Sequence, residues 1–398
     1  MTLLLKNKIF IYLIPLILGF VTSFSLPPYS YFFINFLTFP LLLIFLILNY
    51  KKGKWLSFKI GWMFGFGYFI SNLYWITNAL TFDSQFKNLI PIALIVIPSY
   101  LALFYGLATL ICSLFNLKKN FASILIFATV FSLIEYLRGF IFGGFPWNLS
   151  AYSWTSYTNF LQIISVIGTY SFNLLSITFF LIPSILFFEY KYKLKLLSLI
   201  FCIFLIILNY FYGSIVINDY KKNTDVNIKS NIKILSPKIK IERFYQNEDP
   251  SEIISELIEL SNPNLEEETI FIFPEGTLTS INLNEIKIYK KMFKDNYSSK
   301  HKIILGINSI EKSKVFNSLV VLDNNLNILA KYNKNDLVPF GEFLPFENLL
   351  SKLGIKKITG GYQSFSADKT RKVLNINDLK FLPLICYEII YSGRLNKG

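Results

Sequence analysis

Phe381-Leu-Pro-Leu-Ile-Cys-Tyr-Glu388 is an apolar run that ends in a thiol and a carboxylate, and how it is read decides the fold. A short apolar run of this kind reads as a buried strand, which leaves Cys386 at its end. Two earlier ionisable residues occupy similar settings. Glu275 closes Ile270-Phe-Ile-Phe-Pro-Glu-Gly276, and Lys334 lies in Tyr332-Asn-Lys-Asn-Asp-Leu-Val-Pro339. A carboxylate, an ammonium and a thiol at strand ends are the base, cation and nucleophile of covalent acyl chemistry. Each alone has a structural reading, and it is the three together, in these contexts, that point to a site.

Around this trio, residues 218–398 alternate between strand and helix patterns. Strands are expected at 230–236, 269–273, 302–308, 315–323, 326–332, 372–376 and 379–385, with helices near 250–261 and 282–297. Glu275, Lys334 and Cys386 then follow the second, fifth and last strands, so an α/β domain can bring them to one sheet edge.

Residues 1–217 have a different composition. They hold three acidic side chains (Asp83, Glu135, Glu189) and thirteen basic ones, against twenty-two acidic and twenty-six basic in 218–398. Seven apolar stretches, 9–26, 31–49, 57–80, 89–116, 121–142, 160–188 and 195–217, are each long enough to cross roughly 30 Å of hydrocarbon. The first reads as a retained helix, because Leu26-Pro-Pro-Tyr-Ser30 offers no small-residue cleavage pattern. Lysines collect before the first span, at Lys51, Lys52 and Lys54, at Lys118 and Lys119, and at Lys191, Lys193 and Lys195. By the positive-inside rule these loops are cytoplasmic, which sends residues 218–398 to the outer face. The net charge of +14 is spread through such clusters, not gathered on one face of a soluble domain, so nucleic-acid binding is not expected.

Within the membrane part, Phe145-Pro-Trp-Asn-Leu-Ser-Ala-Tyr-Ser-Trp154 reads either as an interfacial aromatic belt or as the lining of a lipid path. Glu135 and Arg138 lie three apart on one helix, and mutual pairing is the simpler reading beside a direct substrate role. Cys112 and Cys202 read as packing residues.

The only histidine, His301 in Lys300-His-Lys302, is expected to be a solvated surface residue, which sets aside Ser–His–Asp and Cys–His mechanisms. The scattered cysteines give no metal-ligand spacing, so neither metal nor cofactor is expected. A thiol activated by a carboxylate remains. Glu275, if buried at its strand end, would have the raised pKa that suits a base, and Lys334 would stabilise the oxyanion.

Phe273-Pro-Glu-Gly276, Tyr332-Asn-Lys-Asn-Asp-Leu-Val-Pro-Phe-Gly-Glu342 and Ile385-Cys-Tyr-Glu388 resemble the motifs of the carbon–nitrogen hydrolase (nitrilase) superfamily, in its order of Glu, Lys and Cys. With the preceding spans, Gly65-Phe-Gly-Tyr68 through Tyr74-Trp75, and Gly144-Phe-Pro-Trp147, nearly the whole chain resembles the bacterial apolipoprotein N-acyltransferases. The resemblance implies a polytopic α-helical membrane domain (1–217) followed by a nitrilase-like αββα sandwich (218–398). It implies transfer of an acyl chain, through a Cys386 thioester, from a phospholipid such as phosphatidylethanolamine to the N-terminal amine of a diacylated apolipoprotein. It also implies a bacterial inner-membrane location.

In that reading Glu275 is base and then acid, Lys334 the oxyanion stabiliser, and Glu342 and Glu388 carboxylates that orient Lys334 and the thiol. Asn317, in Val315-Phe-Asn-Ser318, matches a site-lining position and also reads as a strand-edge residue. Phe340, Phe343, Leu344 and Phe346 fall in a segment that the resemblance makes a mobile arm over the site, dipping among lipid tails, and that otherwise reads as a core helix. Two departures stand out. Ser236-Pro-Lys-Ile-Lys-Ile-Glu-Arg243 replaces a more polar stretch, and the chain stops twelve residues after Cys386, so the α/β domain is expected to be incomplete at its C-terminal end. A membrane-tethered amidase or nitrilase acting on a C–N bond and a non-catalytic membrane protein are the alternative classes. The membrane spans argue against the first and the intact trio against the second.

Overall fold

The structure, a computed structural model, describes residues 8–81, 84–141, 144–222, 231–237, 249–345, 347–350, 352, 364–376 and 379–393. The chain divides into two compact units, Met1–Asp225 and Val226–Gly398.

The first unit is helical: α1 (Lys8–Ser23), α2 (Asn35–Asn49), α3 (Lys54–Leu73), α4 (Ile90–Cys112), α5 (Phe121–Arg138), the short α6 (Thr158–Leu161) and α7 (Ile164–Ile167), α8 (Thr169–Leu181) and α9 (Tyr192–Lys222). Among the described residues, five helical segments are long and apolar enough to cross a membrane: Phe32–Lys52, Phe86–Cys112, Phe121–Arg138, Thr169–Phe187 and Tyr192–Lys222. Ile9–Ser23 and Thr158–Ile167 are shorter apolar helices. The apolar stretch 160–188 is not one helix. Gly168, at φ +79°, breaks it between α7 and α8, a backbone conformation that only glycine adopts readily. At 31 residues, α9 spans about 46 Å at ~1.5 Å per residue. It exceeds a bilayer core, and of its residues only Cys202 and Gly213 are buried.

Small residues let α3 approach both neighbours. A Cβ at Gly67 would collide with the Leu16 carbonyl oxygen of α1, and one at Gly61 with the Tyr105 carbonyl oxygen of α4. Lipid offers little hydrophobic drive for helix association, so such backbone approach and buried hydrogen bonds carry the packing. Glu135 and Arg138 are both buried but do not pair with each other. The Glu135 carboxylate accepts from Tyr105 Oη (2.6 Å), Ser150 Oγ (3.2 Å) and Asn173 Nδ2 (2.6 Å). Arg138 donates to the carbonyls of Phe145 (2.7 Å), Trp147 (2.7 Å) and Asn148 (3.4 Å). The expected mutual pair gives way because the returning 144–154 segment and α8 offer each group closer partners.

The second unit is built on a five-stranded sheet in the order β1 (Asn231–Ile234), β2 (Thr269–Ile272), β3 (Lys302–Glu311), β4 (Lys314–Leu322), β5 (Ile328–Asn333). The first three strands are parallel and the last two antiparallel. A separate hairpin joins β6 (Leu374–Ile376) to β7 (Leu379–Phe381). Pro383, which lacks an N–H to pair, keeps that last strand shorter than its apolar run.

Alternation along the strands gives the sheet two apolar faces. Phe271, Ile303, Leu305 and Val320 pack with Ile254 and Leu257 of α10 (Pro250–Ser261) and Phe293 of α11 (Lys290–Asn296). Ile270, Ile304 and Val321 pack with Leu374, Ile376 and Ile385. Helices therefore cover one face, and the β6–β7 hairpin and the Cys386 segment cover the other. The expected helix at 282–297 resolves into a 3₁₀ turn, Glu285–Tyr289, leading into α11.

Candidate active site

Glu275, Lys334 and Cys386 each lie past the end of a strand, whereas Asn317 is within β4. After β2, Phe273 N–H still donates to Ile304 O (2.8 Å), and Gly276 at φ +68° turns the chain so that Glu275 projects from the edge. Gly306 of β3 lies beneath this turn, where a Cβ would stand 2.8 Å from Glu275 Cα. Lys334 continues the β4–β5 ladder, its N–H donating to Asn317 O (2.9 Å), while its carbonyl accepts from Asp368 N (3.0 Å). Cys386 opens the 3₁₀ turn Cys386–Ile390 at φ +49°. A non-glycine residue in the left-handed region costs on the order of 1–3 kcal/mol and persists where its surroundings impose it.

The polar core is a knot of two carboxylates around one cation and one amide. Lys334 Nζ lies 2.9 Å from Glu342 Oε1 and 3.7 Å from Glu275 Oε1. Asn317 Nδ2 donates to the same two oxygens, Glu275 Oε1 at 2.6 Å and Glu342 Oε1 at 2.8 Å. The other Glu342 oxygen accepts from Val338 N (2.8 Å), which ties the following turn to the site. The Lys334 side chain is only 1% accessible and that of Glu275 36%, so Glu275 is open at the surface and not buried as its apolar strand suggested.

These neighbours set the proton affinities. Burial works against the Lys334 charge, but Glu275, Glu342 and the hydrogen bond to Glu342 outweigh it, so its pKa is raised and it stays an ammonium. Cys386 is solvent-accessible, yet partial desolvation, the largest effect, raises its thiol, with Glu275 and Glu342 adding to the rise. Lys334 and a hydrogen bond from the Tyr387 backbone pull the other way.

Glu388 is fully buried and, among the described residues, makes no hydrogen bond to the Lys334 amine. Its Oε1 accepts from Tyr332 Oη (2.7 Å), Asn335 N (2.9 Å), Asp336 N (3.2 Å) and Arg371 Nη2 (3.2 Å), and its Oε2 accepts from Ile385 N (2.9 Å). It orients backbone on both sides of the site. Among the arm residues, Phe340 is exposed at φ +63°, and Phe343 is half-buried. Leu344 is buried, just after a turn closed by Glu342 N–H donating to Val338 O (2.9 Å) and Phe340 N–H donating to Phe343 O (2.8 Å). Phe346 lies outside the described residues.

His301 is not a solvated surface residue. It is buried, its Nδ1 accepting from Ser298 N (3.1 Å) and its Nε2 lying 2.9 Å from Asn264 O. An Nδ1 that accepts places the proton on Nε2, and the ring staples two loops away from the trio. Gly306, Tyr332, Asp336 and Arg371 escaped the sequence reading. An isolated glycine inside a strand pattern was a usable sign of close backbone approach for Gly306. Nothing local marks Arg371, whose partners lie 35 and 17 residues away.

Residues 18–182 match the family model for the apolipoprotein N-acyltransferase N-terminal domain, and 269–395 match that for carbon-nitrogen hydrolase. The chain is 31% identical to the apolipoprotein N-acyltransferase of Brucella melitensis, over 95% of this chain and 74% of that protein. It is 29% identical to that of Rhizobium rhizogenes (96% and 75%) and 28% to that of Rhodopseudomonas palustris (97% and 75%). The two matched regions fall one in each structural unit, the first in the helical unit and the second over the sheet unit that carries Glu275, Lys334 and Cys386. The chain belongs to the apolipoprotein N-acyltransferase family.

Proposed function

We propose that this chain moves a fatty acyl group from a membrane phospholipid to the N-terminal amine of a diacylated apolipoprotein, through a thioester on Cys386. The observation that carries this reading is the Glu275–Lys334–Glu342–Asn317 knot, whose charges act on an accessible thiol held in a left-handed turn.

A thiol with raised pKa is mostly protonated at neutral pH, so a base must take its proton as it attacks. Glu275, the only site carboxylate open to solvent, is that base. Sulfur bonds to the ester carbonyl carbon, and the carbonyl electrons move onto oxygen, where the Lys334 ammonium stabilises them. Collapse expels the lysophospholipid alkoxide, which takes the proton from Glu275. The acceptor amine then attacks the thioester, Glu275 removes its extra proton, the amide forms, and the leaving thiolate takes that proton back from Glu275. Glu342 and Asn317 hold Lys334 and Glu275 in register, and Glu388 holds the two turns. Phe340, Phe343 and Leu344 belong to the proposed arm over the site.

Phosphatidylethanolamine is the proposed donor. The proposed setting is a bacterial inner membrane, with seven spans, a cytoplasmic N-terminus and the second unit outside. The lysine clusters of 1–217 support this orientation. An impermeant thiol label, in a Cys386→Ala background, is expected to reach a cysteine placed at Ser299 and not one at Gly53 or Asn120.

The deciding experiment supplies phosphatidylethanolamine vesicles and no acceptor. A hydroxylamine-labile mass increase of one acyl chain is expected on Cys386, discharged on adding a diacylated lipopeptide. An adduct on another residue, or acyl transfer by Cys386→Ala, overturns the reading. Steady release of free fatty acid without lipopeptide identifies a hydrolase instead.

A further inference from the structure

Lys334 and Cys386 lie 52 residues apart in sequence, and a single buried carboxylate bridges the turns that carry them. Glu388 Oε1 takes the N–H groups of Asn335 and Asp336, directly after Lys334, and its Oε2 takes the N–H of Ile385, directly before Cys386. A carboxylate with no accessible surface is costly unless a positive charge compensates it. The ion-pair partner of Glu388 among the described residues is Arg371, whose Nη2 lies 3.2 Å from Glu388 Oε1 and 2.9 Å from Asp336 Oδ2. The Arg371 side chain is 4% accessible and comes from the segment leading into β6, a third stretch of chain.

We propose that Arg371 is a positioning residue for acyl transfer, clamping the Lys334 turn to the Cys386 turn by pairing at once with Asp336 and Glu388. The proposal rests on the thioester reading above. Arg371 touches neither the thiol nor the Lys334 amine, so it acts through the backbone that Glu388 holds. Both ion pairs run through Nη2, and Nη1 makes no hydrogen bond among the described residues, so the guanidinium serves as a compact buried charge and not as a two-pronged fork. A lysine can supply that charge, whereas an uncharged side chain of similar length cannot. Without the charge, Glu388 has less reason to stay buried. Its hold on Ile385 loosens, and Cys386 leaves the strained φ that the bridge imposes.

The test uses the full chain in detergent–phospholipid micelles and reads single-turnover thioester formation on Cys386 from phosphatidylethanolamine. Arg371→Met and Arg371→Gln are each expected to slow it on the order of a hundredfold, the scale of an ångström of misplacement, with the half-saturating phospholipid concentration unchanged. Arg371→Lys is expected to recover the rate to within about threefold of the parent, because the charge is what is needed. A rate within about twofold of the parent in Arg371→Met overturns the proposal, as does a loss that lysine fails to recover or one expressed mainly as weaker phospholipid binding. Should the uncharged variants fail to fold, the lysine variant decides alone, near-parent rate supporting the clamp and a hundredfold loss overturning it. A parent protein that forms no adduct on Cys386 strikes the thioester reading itself, which keeps the two failures apart.

Discussion

Gly306 lies directly beneath Glu275, so close that a Cβ there would stand 2.8 Å from the Glu275 Cα. β3 can supply the floor of the site only because this residue has no side chain, and the proposed base, Glu275, rests on that floor. Gly306→Ala is therefore expected to displace the Pro274–Gly276 turn and slow acyl transfer, by on the order of a hundredfold if Glu275 moves about an ångström. Strand propensity alone predicts the opposite, since glycine inside a strand is roughly 0.5–1 kcal/mol worse than alanine. An alanine variant with parent-like rates would remove Gly306 from the site.

Removing the charges around Cys386 one at a time separates its acidity from its turnover. Glu275 and Glu342 raise the thiol while Lys334 lowers it, on top of the larger rise from partial desolvation. In Glu275→Gln the pH midpoint for alkylation of Cys386, followed by mass spectrometry at that residue, is expected to move down. In Lys334→Met it is expected to move up. Acyl transfer falls in both, by at least the ~10²-fold of a lost acid–base or oxyanion group. Midpoints that move in the same direction contradict this account of the site charges.

Asn317 lies between two carboxylates and donates to both. Asn317→Asp replaces the donor with a third negative charge, and Asn317→Ala only removes it. The aspartate variant is expected to be the slower, with alanine down by ~10²-fold or less. Equal rates in the two variants, each measured as thioester formation, mean that the amide does not hold the carboxylates together.

In the membrane unit Arg138 serves three carbonyls and no carboxylate. Arg138→Leu leaves buried acceptors unpaired, at about 1–3 kcal/mol for each that finds no substitute, and is expected to lower the apparent Tm in detergent. Arg138→Lys is expected to recover little, because one ammonium cannot reach what a guanidinium plane reaches. Full recovery by lysine would restore the simpler picture of a charge paired with Glu135.

The features legible in the sequence were those with a local cause. Apolar runs mark the spans, the strand positions come from apolar stretches of β-forming residues, and Glu275, Lys334 and Cys386 follow their strands in the observed order. Local pattern also misled. The run 160–188 reads as one helix until Gly168 takes its positive φ, and the i, i+3 spacing of Glu135 and Arg138 suggests a pair that the fold declines. The 144–154 segment and α8 bring better partners than the helix itself provides.

What the sequence by itself determined is that this chain combines apolar, membrane-length helices with an α/β unit and carries a thiol, a carboxylate and an ammonium past strand ends. Hydrophobic periodicity and residue chemistry are properties of neighbours in the chain. Only the tertiary structure decided that Asn317 bridges Glu275 and Glu342, that Glu388 joins the Lys334 and Cys386 turns, that Arg371 balances it, and that Cys386 stands at φ +49°. These contacts join groups far apart in sequence, and their energy comes from burying charge where a distant partner satisfies it.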